Sequence, residues 1–508
     1  MAGPLSDVRV LELGQVVAGA RRLHLDDVGA QIGEDLTAER PGDVLRQWGW
    51  APDGQDSLWW RVAARGKRSV TLDLRTPEGQ EVARRLAGEA DVVVENFRPG
   101  TLERWGLSYD DLSADNPGLV LVRISGFGQD GPYAARAGYA SIGEAMGGLR
   151  ALTGYADRPP VRVGLSLGDT LTGLMGALGA LAALHERARS GLGQVVDAAI
   201  YESVLALTEG LVPEWQVAGL QRERTGAVLK GIAPSNVYPT ADGEVLVAAN
   251  QDSVFRRLVE LMDRPELATD PRFADHRARG EHAEELDVLV ADWTRTRASA
   301  PLLEALHAAA VPAGLVYTPA DMAADPHFRA RRSLVELDDP DVGPVLMPAP
   351  APRLSRTPGQ VRWTGPRLGR HTDEVLAEAG LSDSDVAALR AAAQVVSHIN
   401  MSVLLWTANV ARVQHDPDLR FFFREEIGHD VVGYPPPTAD RARRQLASAR
   451  RTLATTVPAI GEAVLDRTVE IPDLGTMTMA EWTPLVLGHA GGHADQALEV
   501  LRDRGAIR

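Results

Sequence analysis

The chain has no cysteine among its 508 residues. This absence excludes disulfide bonds, thiolate metal sites and thiol nucleophiles, so a metal ligand or nucleophile must come from His, Asp, Glu, Ser, Thr or Lys. Basic residues are also in the minority, because 53 Lys and Arg stand against 69 Asp and Glu and give a formal charge of −16. The acidic balance argues against nucleic acid or an anionic membrane as a partner, and an anionic ligand needs a local basic pocket.

Signals for export or membrane insertion are missing as well. The first residues, MAGPLSD, contain neither the basic region nor the apolar run of a signal peptide. The uncharged apolar stretch at residues 170–184 is shorter than the ~20 residues that a spanning helix needs. We therefore expect a cytoplasmic globular protein, and its 44% hydrophobic residues are enough to build real cores.

The first 225 residues alternate short β-rich runs with helical stretches. One helix start is well marked, because Thr76-Pro77-Glu78 supplies a cap, a proline at the first helical position and an acid in the first turn. The pattern predicts an α/β large domain with a Rossmann-like, mainly parallel sheet. Its predicted strands lie at residues 8–13, 69–74, 91–95 and 119–125.

Three further segments differ from the first in the pattern of their residues. Residues 226–335 combine a hairpin around Asp242-Gly243 with several helices, which predicts a smaller α+β domain. Residues 336–393 include a Pro-rich stretch that reads as extended chain and then return to the large domain. Residues 394–508 carry almost no strand signal and predict an all-α domain, similar to a four-helix bundle with a truncated first helix.

One carboxylate is placed where chemistry could use it. Gly168-Asp169 lies at the start of the uncharged stretch 170–184, in which small and large apolar residues alternate at helical spacing. Such a helix is buried, and Asp169 falls in its N-terminal turn. A helix cap contributing about 1 kcal/mol is one interpretation, and a catalytic carboxylate is the other.

Four ordered motifs carry a family resemblance. They are ARGKRSVTLDL at 64–74, ENFRPG at 95–100, GFGQDGPY at 126–133 and the segment around Gly168-Asp169. Together they resemble the class III (CaiB/BaiF type, formyl-CoA transferase-like) CoA-transferase family, over roughly residues 4–390. The resemblance implies that Asp169 is the nucleophile, that acyl-CoA and a small carboxylic acid are the substrates, and that two subunits form an interlocked homodimer. It implies no cofactor for the transferase, since CoA is a substrate.

The implied chemistry is covalent catalysis by a carboxylate. Asp169 attacks the thioester to form an aspartyl anhydride, and the returning CoA thiolate converts this into an aspartyl-CoA thioester that the acceptor acid then attacks. Oxyanion donors are expected from a loop that here matches residues 248–252, where side chains limit close approach of the backbone and only the amide side chains add donors. By resemblance, CoA contacts Val17, Arg40, Leu72, Asp73, Leu74, Arg75, Asn96, Phe97, Arg98, Arg104, Arg136 and Tyr139.

The sequence departs from the family pattern in two places. Residues 20–38 lack the expected β-branched strand, because Gly33 and the charged pair Glu34-Asp35 interrupt it, and this predicts a weakened wall of the CoA site. Val17 replaces a supporting Gln, and Ala137 and Ala140 replace a Lys and an acid. These changes predict impaired or altered catalysis.

Two alternative functions remain at this point. An α-methylacyl-CoA racemase-like enzyme would share the fold, but Tyr139 occupies the position where that branch carries its His. A catalytically weak acyl-CoA-binding protein fused to a metal-binding helical module is the second alternative.

The C-terminal segment offers a candidate metal site. His489 and His493 are one helical turn apart, a spacing that offers two imidazoles on one face, and His398 is a candidate third ligand. This arrangement resembles the DinB-like metal-binding fold over residues 394–508. A divalent metal is therefore a candidate ligand of this domain, against the alternative that the histidines only pack.

Overall fold

The computed structural model describes residues 3–14, 29–33, 36–37, 40–72, 74, 77–382, 384, 386, 468–471 and 475–478. The strands in chain order are β1 Val10–Glu12, β2 Gly29–Gly33, β3 Leu36–Thr37, β4 Arg40–Pro41, β5 Arg68–Thr71, β6 Val92–Glu95, β7 Val120–Ser125, β8 Val195–Ala199, β9 Ser235–Pro239, β10 Glu244–Ala248, β11 Ala313–Gly314, β12 Leu334–Asp339, β13 Gly343–Pro348, β14 Thr468–Ile471 and β15 Gly475–Thr478. The α-helices are α1 Leu58–Ala63, α2 Pro77–Gly88, α3 Thr101–Arg104, α4 Tyr109–Asp115, α5 Ala140–Met146, α6 Leu149–Leu152, α7 Leu167–Ser190, α8 Ile200–Leu205, α9 Leu211–Ala218, α10 Asp252–Leu261, α11 His276–Glu281, α12 Ala283–Thr294, α13 Ser299–Ala308, α14 Pro319–Ala324, α15 Pro326–Ala330 and α16 Thr372–Glu378.

The centre of the large domain is a six-stranded sheet in the order β5-β2-β1-β6-β7-β8. Each of its pairings is parallel, which confirms the predicted α/β class. Strand β6 is buried along its whole length, as expected for a parallel sheet with both faces covered. The strand order reverses between β1 and β6, and ligands of such sheets bind beyond the carboxyl ends of the strands at that point.

The alternation of side chains along β6 divides the core into two layers. Val93 packs with one hydrophobic cluster that includes residues of α2, α4 and α16. Val92 and Val94 face the other cluster, to which α7 contributes Ala180 and Ala183. A Cβ at Gly176 would lie 3.2 Å from Val122 Cγ1, so glycine lets α7 lie close to the sheet. The long helix is thereby fixed against β7.

The direction of α7 follows from its place between two parallel strands. Its last turn lies beside the amino ends of the strands, because Arg187 forms an ion pair of 2.8 Å with Asp91, which precedes β6. The Arg187 guanidinium also donates to the Gly118 carbonyl, just before β7. The first turn of α7 therefore lies at the carboxyl edge of the sheet.

A second core belongs to the three-stranded antiparallel sheet β11-β10-β9. Helices α10, α12 and α13 pack on it around Phe255, Leu286 and Leu306, which are essentially unexposed. The predicted hairpin is present, with β9 and β10 joined around residues 240–243. The fold of this region agrees with the predicted α+β arrangement.

The Pro-rich segment contains a hairpin in addition to extended chain. Strands β12 and β13 pair antiparallel, and β13 contains two prolines, Pro344 and Pro348. Proline is tolerated because this two-stranded sheet has free edges. Beyond it, the chain returns to the large domain, where the His371 amide donates to the Ser69 carbonyl.

Two backbone segments differ from the sequence expectations. Residues 29–33 form β2 in parallel register with β1 and β5, so the expected break in the strand is wrong for these residues. Backbone hydrogen bonds from two neighbouring strands hold β2 in the sheet whatever side chains it carries. Near the C-terminus, β14 and β15 form an antiparallel hairpin that the all-α prediction did not include. The predicted helices of 394–508 lie outside the described residues.

Candidate active site

Asp169 is the third residue of α7 and is partly buried. Ser166 occupies the N-cap position, but its side chain accepts no capping hydrogen bond from the helix. The aligned peptide dipoles give the start of a long helix a partial positive charge, which stabilises a nearby carboxylate. The structure therefore holds Asp169 at the carboxyl edge of the sheet, in the first turn of a long helix.

The first turn of α7 receives its hydrogen-bond acceptor from another helix. The Gly168 N–H donates to Glu144 Oε1 of α5 over 3.2 Å. Glu144 is 0% exposed, and its other oxygen accepts from Arg150 Nε at 3.1 Å and forms an ion pair with Arg150 Nη2 at 3.0 Å. A buried ion pair thus lies one residue from Asp169.

Glycine at position 168 makes this contact sterically possible. A Cβ there would lie 3.2 Å from Glu144 Cγ, from the Ala140 carbonyl oxygen and from Ile200 Cγ2. Contacts of this length are tight, so a larger residue would push α7 away from α5 and α8. The sequence pair Gly168-Asp169 combines a close approach with a carboxylate.

A second set of predicted site residues meets at the point where the strand order reverses. Gly14 follows β1 and Asn96 follows β6, and a Cβ on Gly14 would lie 2.6 Å from Asn96 Oδ1. A side chain at position 14 would displace the Asn96 amide, so glycine leaves room for Asn96 where the two strand ends approach each other. Asn96, Phe97, Arg98 and Arg104 follow on the chain that leaves this point.

A three-member ion-pair network supports that chain. Glu95 is 1% exposed, and its oxygens accept from the Phe97 N–H at 2.8 Å and from Arg123 Nε at 2.7 Å. Arg123 Nη1 also donates to Glu103 Oε1 at 2.6 Å. Burial raises the pKa of Glu95, whereas the hydrogen bond from Arg123 lowers the pKa of Glu103. Arg123 thus connects both ends of the segment 95–103 to β7.

The predicted cationic ligands of CoA phosphates are exposed. Arg98 and Arg104 both face solvent, and Arg104 Nη2 donates to Thr101 Oγ1 at 2.9 Å. Arg136 is exposed as well, and its guanidinium carbon stacks 3.6 Å from the Tyr133 ring centre. Tyr139 is 76% exposed at the start of α5. Exposed guanidinium groups are suited to bind phosphate oxygens.

Some predicted CoA residues are part of the hydrophobic core. Leu74 is 0% exposed, and Leu72 and Phe97 are each 9% exposed in the same cluster. Phe97 packs edge-on against Trp105, with ring centres 5.1 Å apart. Only a small part of these side chains faces outward, so the Leu74 contact with CoA would have to use its backbone.

Other predicted ligands lie wholly or partly outside the described residues. Val17, Asp73 and Arg75 lie outside the described residues, and Arg40 is described only as backbone of β4. The candidate metal ligands His398, His489 and His493 also lie outside them. Within the part of the chain that is described, no group of three or more His, Asp or Glu side chains is arranged to hold a metal ion.

The loop expected to supply oxyanion donors uses two of its amides elsewhere. The Ala248 N–H donates to the Pro312 carbonyl at 2.9 Å, and the Ala249 N–H donates to the Pro234 carbonyl at 2.8 Å. Asp252 forms an ion pair of 2.6 Å with the buried Arg279. These two amides therefore serve the small domain's own structure, which argues against them as oxyanion donors.

The family assignment follows from comparison with known proteins. Residues 5–372 match the family model of CoA-transferase family III. The chain belongs to CoA-transferase family III. A crystal structure of a CaiB/BaiF family protein from Brucella suis has the same fold, with a TM-score of 0.65 and 35% identity, and covers 75% of this chain and 100% of that one.

Two curated relatives come from Chloroflexus aurantiacus. Succinyl-CoA–D-citramalate CoA-transferase is 54% identical over 394 residues, which cover 76% of this chain and 97% of that protein. The β subunit of succinyl-CoA–L-malate CoA-transferase is 42% identical and covers 76% of this chain and 97% of that subunit. The protein is accordingly a class III CoA-transferase that moves CoA from an acyl-CoA to a carboxylic acid, and neither alternative function is favoured.

Sequence analysis missed the charged residues that support the site. Glu144 is the only charged residue between Arg136 and Arg150, and a lone acid in an otherwise uncharged helical segment was the available signal. Arg123 gave no comparable signal, because a single Arg in a β-rich run is compatible with a solvent-exposed strand face.

We expect Arg123→Met to lower the free energy of unfolding by about 3 kcal/mol, because it leaves the Glu95 carboxylate buried without its cation. The double variant Glu95→Gln/Arg123→Met should recover most of this loss, since Gln still accepts from the Phe97 N–H without a charge. Thermal unfolding measures both effects. Arg189→Met, which removes only an exposed pair with Glu186, serves as the control. A double variant no more stable than Arg123→Met would contradict the expectation.

Proposed function

We propose that Asp169 is the nucleophile of this CoA-transferase. The observation that carries the proposal is its place in the first turn of α7, at the carboxyl edge of the sheet. Asp169 oxygen attacks the thioester carbonyl carbon, a C–O bond forms, the C–S bond breaks, and CoA leaves as its thiolate. The product is a mixed anhydride of Asp169 and the donor acid.

Two further exchanges complete the transfer. The CoA thiolate attacks the aspartyl carbonyl, releases the donor acid as a carboxylate and leaves an aspartyl-CoA thioester. The acceptor carboxylate then attacks that thioester, which gives a second anhydride and free thiolate. Attack of the thiolate on the acceptor's acyl carbon forms the new acyl-CoA and regenerates Asp169. Each step exchanges one acyl bond for another, so no ATP is required.

The proposed CoA site lies along the carboxyl edge of the sheet. Exposed Arg98 and Arg104 bind phosphate oxygens, and Asn96 provides amide contacts next to Gly14. Arg136 and Tyr139 line the approach to the acyl group from the loop after β7. The remaining CoA contacts stay as the family resemblance implies them.

The proposed substrates are short dicarboxylic acids and their CoA thioesters. The two relatives at 54% and 42% identity are named for succinyl-CoA as donor and for citramalate and malate as acceptors. Both acceptors are hydroxylated dicarboxylates, and we assign the same class to this enzyme, with succinyl-CoA as the donor.

We expect Asp169→Ala to abolish CoA transfer from succinyl-CoA to citramalate or malate, because no other group replaces the carboxylate. With the unmodified enzyme, hydroxylamine added during turnover should produce a hydroxamate that mass spectrometry locates at Asp169. Asp157→Ala changes an exposed carboxylate elsewhere and should retain full activity. Transfer by Asp169→Ala at the normal rate would refute the assignment.

The proposed assembly is the interlocked homodimer. Helix α7 is long and apolar enough to cross a membrane by length and composition alone. Less than half of its most apolar part is buried within the chain, so much of its apolar surface is exposed. Leu178 of α7 is 60% exposed, and Trp215 and Val217 of α9 are 64% and 79% exposed. Apolar surface on this scale supports a protein partner, and a second copy of the chain supplies it.

Sedimentation equilibrium should therefore give a mass near twice the 54.5 kDa of one chain. The expected dimer should persist on dilution, because an interlocked pair buries far more surface than a transient contact. A mass of one chain at all concentrations would refute the homodimer. It would instead favour a partner subunit of different sequence, since one relative is named a β subunit.

The C-terminal segment is proposed to be a DinB-like helical domain that binds a divalent metal through His489, His493 and His398. We also propose that the protein is located in the cytoplasm. Metal analysis of the full chain should find less bound Zn²⁺ in His489→Ala and His493→Ala than in the unmodified protein, because each variant removes one ligand. His185→Ala is the control, and equal metal content in all four proteins would exclude the site.

A further inference from the structure

We propose that Glu144 and Arg150 together position the Asp169 carboxylate for attack on the thioester. This inference rests on the proposed role of Asp169 as the nucleophile. Glu144 and Arg150 are positioning residues, because the contact between Glu144 and the Gly168 N–H transmits their effect to Asp169 through a single peptide unit. Their contribution belongs to the acylation step and not to the binding of CoA.

The first argument is the origin of the hydrogen-bond acceptor. The initial N–H groups of a helix have no partner within the helix, and a side chain at the N-cap position usually accepts from one of them. Ser166 makes no such bond here. The Gly168 N–H instead donates to Glu144, which lies 24 positions earlier on α5. The orientation of the first turn thus depends on a contact between two helices.

The second argument is the precision of the contact. Glu144 is completely buried, and Gly168 leaves only 3.2 Å between a hypothetical Cβ and Glu144 Cγ. The Glu144 carboxylate therefore has little freedom to move relative to the Gly168-Asp169 peptide. A displacement of about 1 Å at a reacting group can cost ~100-fold in rate, so a rigid support of this kind affects the chemical step.

The third argument is charge. An ionised carboxylate removed from water needs a cation, and Arg150 contacts Glu144 Oε2 through a hydrogen bond from Nε and an ion-pair contact from Nη2. Without Arg150, the buried Glu144 would carry an uncompensated charge one residue from Asp169. The side chain would then relax towards water, and its bond to the Gly168 N–H would change.

The turn after α5 brings Arg150 back to Glu144. Two glycines, Gly147 and Gly148, turn the chain between α5 and α6, and Gly148 has a positive φ of 94°. A Cβ at Gly147 would lie 2.7 Å from the Tyr201 carbonyl oxygen and from Val204, so the turn is packed directly on α8. The local fold holds the guanidinium in place.

The test is a single-turnover measurement of CoA release from succinyl-CoA in the presence of hydroxylamine. Arg150→Met should slow acylation by about 10-fold to 100-fold while the KM for succinyl-CoA changes less than about 3-fold. The double variant Glu144→Gln/Arg150→Met should recover the acylation rate to within about 3-fold of the unmodified enzyme, because Gln accepts the Gly168 bond without a charge. Circular dichroism and sedimentation establish that each variant is folded.

The matched control is Arg187→Met, which breaks another partly buried ion pair at the opposite end of the same helix. It should leave the acylation rate unchanged. An Arg150→Met enzyme with a normal acylation rate would overturn the inference, and so would a double variant as slow as Arg150→Met. If Arg150→Met fails to fold, the double variant decides alone, because an acylation rate more than 10-fold below normal contradicts the role of charge compensation.

The outcome for Asp169 is read separately. If Asp169→Ala still transfers CoA, the proposed nucleophile is wrong whatever Arg150→Met does. If Asp169→Ala is inactive and Arg150→Met is normal, the nucleophile stands and only the positioning role fails.

Discussion

The hydrogen bond between the Gly168 N–H and the buried Glu144 carboxylate determines how the first turn of α7 lies against the rest of the large domain. It depends on two features of the sequence that are 24 residues apart. Position 168 has no side chain, and position 144 has an acid whose charge Arg150 balances. Because Glu144 accepts from the first turn, α7 can place the Asp169 carboxylate in the site without a capping hydrogen bond to the Ser166 side chain.

The other end of the same helix is fixed by opposite charges. Arg187 contacts Asp91 and the Gly118 carbonyl at the amino edge of the sheet. Anionic groups near the start and cations near the end of a helix both complement its dipole, so the contacts at both ends add to the stability of α7. Because the parallel sheet fixes the direction of α7, Asp169 and the chain leaving β6 lie at the same edge. The network of Glu95, Arg123 and Glu103 supports the second of these elements.

Sequence patterns were sufficient for elements whose information is local. Runs rich in Val predicted four strands of the parallel sheet, and the uncharged stretch after Asp169 predicted α7. The supporting contacts escaped prediction because each joins residues distant in sequence, as Arg123 and Glu95 or Glu144 and Gly168 do. Strand β2 escaped for a related reason, since its neighbours provide hydrogen bonds that its own composition does not indicate. The hairpin of β12 and β13 was obscured by its prolines.

In the proposed dimer, one helix serves both chemistry and assembly. The exposed side chains of Leu178 and Leu181 lie in the middle of α7, whereas Asp169 occupies its first turn. A helix whose central turns are uncharged, with glycines toward the sheet and leucines away from it, can pack on two surfaces at once. Residues that cover the outer face would then restrain the helix along its length, while Glu144 restrains its start. In the proposed dimer, subunit association adds to the contacts that hold the proposed nucleophile, because the partner covers the face of α7 that the sheet leaves exposed.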